Sequence, residues 1–293
     1  MIDSLLARVR GPLIGAVRIL VGLLWLANLE WKRPPDFGRD LGNGLYKYVD
    51  AAVKMPVFGP YSWIVEHIVL KNYTLFGWMT LLLESTLAVC LLLGLHTKIA
   101  SLVGAGMALS VLLSVLHYPN EWPWSYYLMI GIHLLLLASL AGQHLGLDGL
   151  REKGAEASRR ALLVLGAVAA VVGVVALVVS SGRSFTAHQG SLVGWASGEL
   201  KILWFNPFSA LLTLVLGVAL VAGALRRLTW LVFAVAGVFA VMALQVLVQW
   251  RYHKGAWTGG VLGGTGASMA FWAMLAVGVA VSARRTRTSA VTS

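Results

Sequence analysis

Eight apolar stretches of roughly twenty residues each constrain this chain more than any other feature. They run over residues 12–31, 74–95, 98–117, 123–142, 160–181, 207–225, 228–249 and 267–283. At a rise of about 1.5 Å per residue, each is long enough to cross about 30 Å of hydrocarbon as a helix. Inside a bilayer the backbone must satisfy its own hydrogen bonds, which leaves helices or closed barrels. Continuous rather than alternating apolar runs select helices. The expected fold is therefore all-α: a polytopic membrane protein with about eight transmembrane helices and the lipid bilayer as its surroundings. A charged fraction of only 12% agrees, since it is too small to clothe a water-soluble surface. Arg8 and Arg10 lend the first stretch the look of a secretory signal. It ends in LEWKRPP without a small-residue cleavage site, so it is expected to be retained.

Charge sets the expected orientation. An even number of spans puts both termini on one side. That side would carry Arg8, Arg10, Lys98, Arg151, Lys153, Arg159, Arg160, Arg226, Arg227, Arg284, Arg285 and Arg287. Short basic loops stay in the cytoplasm, so both termini are expected there, in a bacterial-type plasma membrane. The net charge of +11 is then topology rather than a nucleic-acid surface, and no nucleic acid is expected as partner. The single cysteine, Cys90, excludes an internal disulfide, a CxxC pair and a thiolate-held iron–sulfur cluster.

The polar segment GQHLGLDGLREKGAEASRR (143–159) divides the chain into residues 1–150 and 151–293, four spans each. LAVCLLLGLHTK and LGVALVAGALRR place a glycine four residues before a basic turn in both parts, as a parallel duplication would. The later spans have no ionisable residue at their centres and read as helices that pack through Gly and Ala. Chemistry inside the membrane is therefore expected in the first part. Between its first two spans, the segment 32–73 predicts two short amphipathic helices. One has Leu45, Val49, Ala52 and Val53 on one face; the other has Trp63, Ile64 and Ile68 as its apolar face, and both are expected to lie on the outer interface or to cap the bundle.

Ionisable residues at membrane depth are costly and signal function by default. Arg18 lies in the first span, flanked on one face by Gly11, Gly15 and Gly22. Glu84 lies in the second, and His133 in the fourth. If the first two spans lie level, Arg18 and Glu84 come within about one helical turn in depth, close enough to pair. Two readings stay open: the pair pins two helices together, or Arg18, Glu84 and His133 line a pocket for a ligand or a proton path. In the third span, Gly106, Ser110, Ser114 and His117 form a polar stripe. The turn LHYPNEWPWSYY adds Glu121 and Trp124, as an aromatic belt or as a mouth for a flat ring. The outer histidines His67, His117, His188 and His253 show no ligand spacing, so no metal is expected. The glycine-rich TGGVLGGTG (258–266) lacks the lysine of a phosphate loop and reads as a plain loop.

The first part resembles the DoxX/DoxD family of four-helix membrane proteins. The resemblance rests on VRILVGLLWLANLEWK with Arg18 and Lys32, on ESTLAVCLLLGLHTK with its E-x(9)-G-x(3)-K spacing, and on a Gly-rich turn before Leu147-Asp148. It covers about residues 10–150. The resemblance implies a membrane subunit of a thiosulfate:quinone oxidoreductase-like system, with a soluble or membrane redox protein as partner and self-association left open. It implies quinone as substrate, with no covalently bound cofactor. Glu84 and His133 would relay protons, while Arg18, Lys32 and Arg33 would hold an anionic substrate or a semiquinone; Ser110, Ser114, His117, Glu121 and Trp124 would line the approach. Two other functions fit the residues: a non-catalytic anchor or assembly partner for a redox enzyme, and a small-solute or proton-coupled transporter.

Overall fold

The structure, a computed structural model, describes residues 2–182, 205–252, 262 and 264–291. The chain starts with α1 (Ile2–Asn28). The short α2 (Gly44–Lys54) and α3 (Gly59–Ile64) follow, and α3 runs into a π-helical turn, Val65–Val69. Then come α4 (Tyr73–Leu93), α5 (Thr97–Val115), α6 (Pro123–Ala138), α7 (Leu150–Val179), α8 (Pro207–Leu225), α9 (Thr229–Tyr252) and α10 (Gly266–Val291). Seven helices, α1, α4, α5 and α7 to α10, are long and apolar enough to cross a membrane. The chain is an all-α, multi-pass membrane protein.

The span expected over 123–142 forms the shorter α6. Its sixteen residues reach about 24 Å. The helix stops because Ser139 is extended, and the chain then turns back across the end of the bundle. In α7 the helical run breaks at Gly154, whose φ of 73° only glycine adopts readily.

Helices α1 and α4 pack together, as do α5 and α6; in the second part α7 pairs with α8 and α9 with α10. Gly166, Gly173 and Gly217 bring the backbones of α7 and α8 into contact, with no room for a Cβ at any of the three. Helix α10 lies between the two parts, against α4, α7 and α9. Of its apolar stretch 78% is buried, against 28% to 44% in the other six long spans. Its first residue, Gly266, packs on the Leu29 carbonyl beyond the end of α1, and near its other end Arg285 donates to the Leu147 carbonyl at 2.5 Å. Helix α1 therefore begins, and α10 ends, on the same face of the bundle, hereafter the terminal face.

The first two spans are not level. Asn28, at the end of α1, meets Glu84, eleven residues into α4. Level spans would have put Glu84 beside residue 22, so the offset is about 9 Å. Past Asn28 the chain continues beside the first turns of α4 without helical structure. Leu29, Lys32 and Phe37 are buried there, with the Phe37 ring against Gly77 and the Tyr73 hydroxyl donating to the Phe37 carbonyl at 3.0 Å.

Beyond this loop, α2 buries Leu45, Val49, Ala51 and Ala52 much as its amphipathic pattern predicts. The second short helix packs on the protein through residues other than those of its apolar face. Ser62 and Val65 face inward, while Trp63, Ile64 and Ile68 are exposed. The inward face is chosen by a polar tie, the Ser62 hydroxyl donating to the Ala52 carbonyl at 2.6 Å, and hydropathy alone does not reveal it.

Candidate functional site

Arg18 is fully buried but does not pair with Glu84. One terminal nitrogen donates to the Leu91 and Leu92 carbonyls, the latter at 3.2 Å. The other donates to His144 at 3.4 Å and Leu145 at 2.7 Å, again at carbonyl oxygens. Leu91 and Leu92 are in the last turn of α4, where helical carbonyls have no partner of their own and carry partial negative charge. One guanidinium thus closes α4 and fastens the returning loop after α6.

The surrounding glycines serve the same purpose. Gly94 ends α4 in the left-handed region (φ 61°), and a side chain there would strike the Arg18 guanidinium. Gly11 and Gly15 give room to His144 of the returning loop, and only Gly22 faces another helix, at Leu92. The loop itself is pinned by Leu147 N–H to the Leu93 carbonyl (2.9 Å) and Asp148 N–H to that of Gly94 (2.8 Å). The Asp148 carboxylate accepts from the N–H groups of His96 (2.9 Å) and Thr97 (3.1 Å), and so caps α5.

Glu84 pairs instead with Lys32, at 2.6 Å, and both side chains are essentially inaccessible to solvent. Asn28 donates from its amide to the other carboxylate oxygen at 3.2 Å and offers its backbone carbonyl to the Lys32 ammonium at 3.0 Å. Trp31 donates to the Asn28 side chain at 2.9 Å, and its ring lies 4.0 Å from the ammonium. Burial pulls Lys32 below its ordinary pKa, and the Glu84 charge works against that shift. The pairing differs from the expected one because of the stagger: at the level of Glu84, α1 has reached Asn28, and Arg18 is about 15 Å away along the helix.

His133 is fully buried on α6. Its Nε2 accepts from the Trp25 indole at 2.9 Å, and its ring lies against Gly104 of α5. Its Nδ1 has no hydrogen-bond partner among the described residues.

The remaining candidates lie apart from these groups. The Tyr61 hydroxyl of α3 donates to the Ser110 carbonyl at 3.0 Å and bonds the Ser114 hydroxyl at 2.8 Å, and His117 meets the Pro56 carbonyl at 3.2 Å. These residues of the predicted stripe fasten the outer layer to α5. Burial raises the Tyr61 pKa, and the Ser114 bond offsets part of that rise. Glu121 accepts from Tyr126 at 2.7 Å. Arg33 is exposed. Trp124 stands edge-on to Trp122 and, with Tyr127, Leu128, Gly131, Ile132 and Leu135, lines an open groove of about 450 Å³ on the outside of α6. His188, His253 and most of the glycine-rich 258–266 lie outside the described residues.

Sequence reasoning overlooked Trp25, Asn28, Thr97 and Ser101. Asn28 was legible as the polar residue one turn before Lys32. Thr97 and Ser101 were legible as a polar pair one turn apart on an otherwise apolar helix.

No family model, no curated protein and no solved structure matches the chain.

Proposed function

We propose that this protein is a membrane-embedded anchor and assembly subunit for a redox protein, and that its buried charges hold its own architecture. One observation carries the reading. The two cations that a quinone or anionic-substrate site would need are already committed: Arg18 to four carbonyls, Lys32 to Glu84 and Asn28. The docking surface under this reading is the outer layer of α2, α3 and the π turn. It is fastened to α5 through Tyr61, is tied together by the Ser62 bond from α3 to α2, and presents Phe58, Trp63 and Ile68 outward. The resemblance to DoxX/DoxD proteins supplies the redox character of the partner. The exposed Lys98, Arg226 and Arg227 on the terminal face fit that face to the cytoplasm of a bacterial-type plasma membrane.

The test is isolation of the complex in native lipid from cells expressing wild type, Glu84→Gln, or a chain with Trp63 and Ile68 both changed to Ser. Native mass gives partner and copy number. Under the anchor reading the outer-layer variant loses the partner. Glu84→Gln keeps partner turnover in whatever fraction of the protein remains folded. Turnover abolished in folded Glu84→Gln would reject the reading.

A second reading is favoured by His133. Its Nδ1–H is a buried donor without an acceptor, which the carbonyl oxygen of a quinone would satisfy. Loss of quinone turnover in a folded His133→Phe variant distinguishes it from anchoring.

A further inference from the structure

Two polar groups that the anchoring role leaves unused lie on one stripe of α5. Thr97, Ser101 and Gly104 stand at i, i+4 and i+7 and so share a face. Thr97 and Ser101 are buried, at 3% and 0% exposure, and neither hydroxyl oxygen has a hydrogen-bond partner among the described residues. Gly104 backs onto the His133 ring. Because an indole N–H only donates, the Trp25 bond makes Nε2 of His133 an acceptor. The hydrogen of the neutral ring is therefore on Nδ1, the nitrogen without a partner. At the terminal face the stripe ends beside Gly142, whose Cβ position is crowded by the Thr97 hydroxyl and the Asp148 carboxylate together. Asp148 is partly exposed there.

Buried polar groups without partners are rare in proteins, and internal water commonly bridges them. The spacing here suits water. Successive groups are separated along α5 by about 4.5–6 Å of rise. One water accepting and donating at about 2.8 Å spans roughly 5.6 Å.

We propose that this stripe holds a single file of internal waters, open at Asp148, that ends on the Nδ1–H of His133 in the middle of the bundle and is plugged there by Trp25. His133 releases its Nδ1 proton to the file only as Nε2 takes another; each water then passes on one proton as it receives one, and the file turns over before the next transfer. The Trp25 indole stops the transfer because its N–H occupies the Nε2 lone pair and supplies no proton to it. One turn further along α1 is Asn28, which meets Glu84 of α4 and, through it, Lys32 of the loop after α1, on the far side of the plug. The Arg18 guanidinium, electrostatically coupled to Asp148, stands near the mouth, and the Asp148 carboxylate offsets its repulsion of an entering proton. The inference is independent of the anchoring role: either can fail while the other stands.

The file is tested first in the wild type. With ¹⁵N-labelled histidine, the Nδ1–H of His133 should exchange into deuterated water well before the core amides of α5. Thr97→Val with Ser101→Ala should slow that exchange about tenfold, the scale set by losing one hydrogen-bonded bridge. Protection equal to the core amides in the wild type would overturn the proposal. The plug is tested in liposomes loaded with a pH-sensitive dye. Trp25→Phe should admit protons about tenfold faster than wild type after a pH step, again the scale of one hydrogen bond. Adding Thr97→Val and Ser101→Ala should restore the wild-type rate. A folded Trp25→Phe protein as tight as wild type, or a leak indifferent to the α5 changes, would overturn the plug.

Discussion

The first bundle neutralises two buried cations by different means. Arg18 spreads its charge over four backbone carbonyls at a helix end and a loop; Lys32 meets one carboxylate, with the Asn28 carbonyl as a second acceptor. The guanidinium has several donors in a fixed fork and suits carbonyls arriving from different segments, whereas an ammonium is a compact point charge. The difference teaches what each site can tolerate. At the Lys32 site both charges can be removed together, leaving two apolar side chains. At the Arg18 site the carbonyls belong to the backbone and cannot be removed.

This contrast fixes the order of expected effects. Arg18→Met should be the most damaging, at about 5 kcal/mol or more, because several charge-assisted bonds go at once. Unfolding in mixed micelles, followed by tryptophan fluorescence, measures it. A loss below about 1 kcal/mol would show that the carbonyls find other donors and that the knot is incidental. Glu84→Gln and Lys32→Met should each cost roughly 3–5 kcal/mol, since each strands a buried partner. The double variant Lys32→Met/Glu84→Leu should recover most of that loss, and the same unfolding assay completes the cycle. Additive losses in the double variant would mean the two residues do not act as a pair. Gly104→Ala should cost about 1–3 kcal/mol, because the methyl enters the His133 ring. Tyr61→Phe should be mildest globally, about 1 kcal/mol, while proteolysis of α3 in native lipid speeds up. Unchanged proteolysis there would remove α3's fastening from the account.

Much of the fold was readable because apolar length alone decides which segments can span a bilayer. The short α6 was not, since Ser139 and the residues after it are apolar enough to continue a helix and turn instead to meet Arg18 and Asp148. The candidate residues were readable one by one: Arg18, Glu84 and His133 are all buried. Their grouping was not, because depth along one helix says nothing about the register between two. The 9 Å stagger of α1 against α4 exchanged Arg18 for Lys32 as the partner of Glu84. In the sequence Lys32 is the basic residue closing the first span, a candidate to hold an anionic substrate, and no hydropathy scale shows that the following loop folds back beside α4. The second part illustrates the opposite limit. Its tie from Trp272 to Thr213, at 3.2 Å, joins two ordinary-looking helices and gives no warning in composition.

The position of α10 has a consequence for how the molecule is made. It is translated after the other nine described helices, yet it packs directly on α4 and reaches the loop that Arg18 secures. When the ribosome has threaded α1 to α6 into the bilayer, one wall of that assembly still faces lipid. The early helices wait in a provisional arrangement, and the route to the native state passes through a late insertion that joins both parts at once.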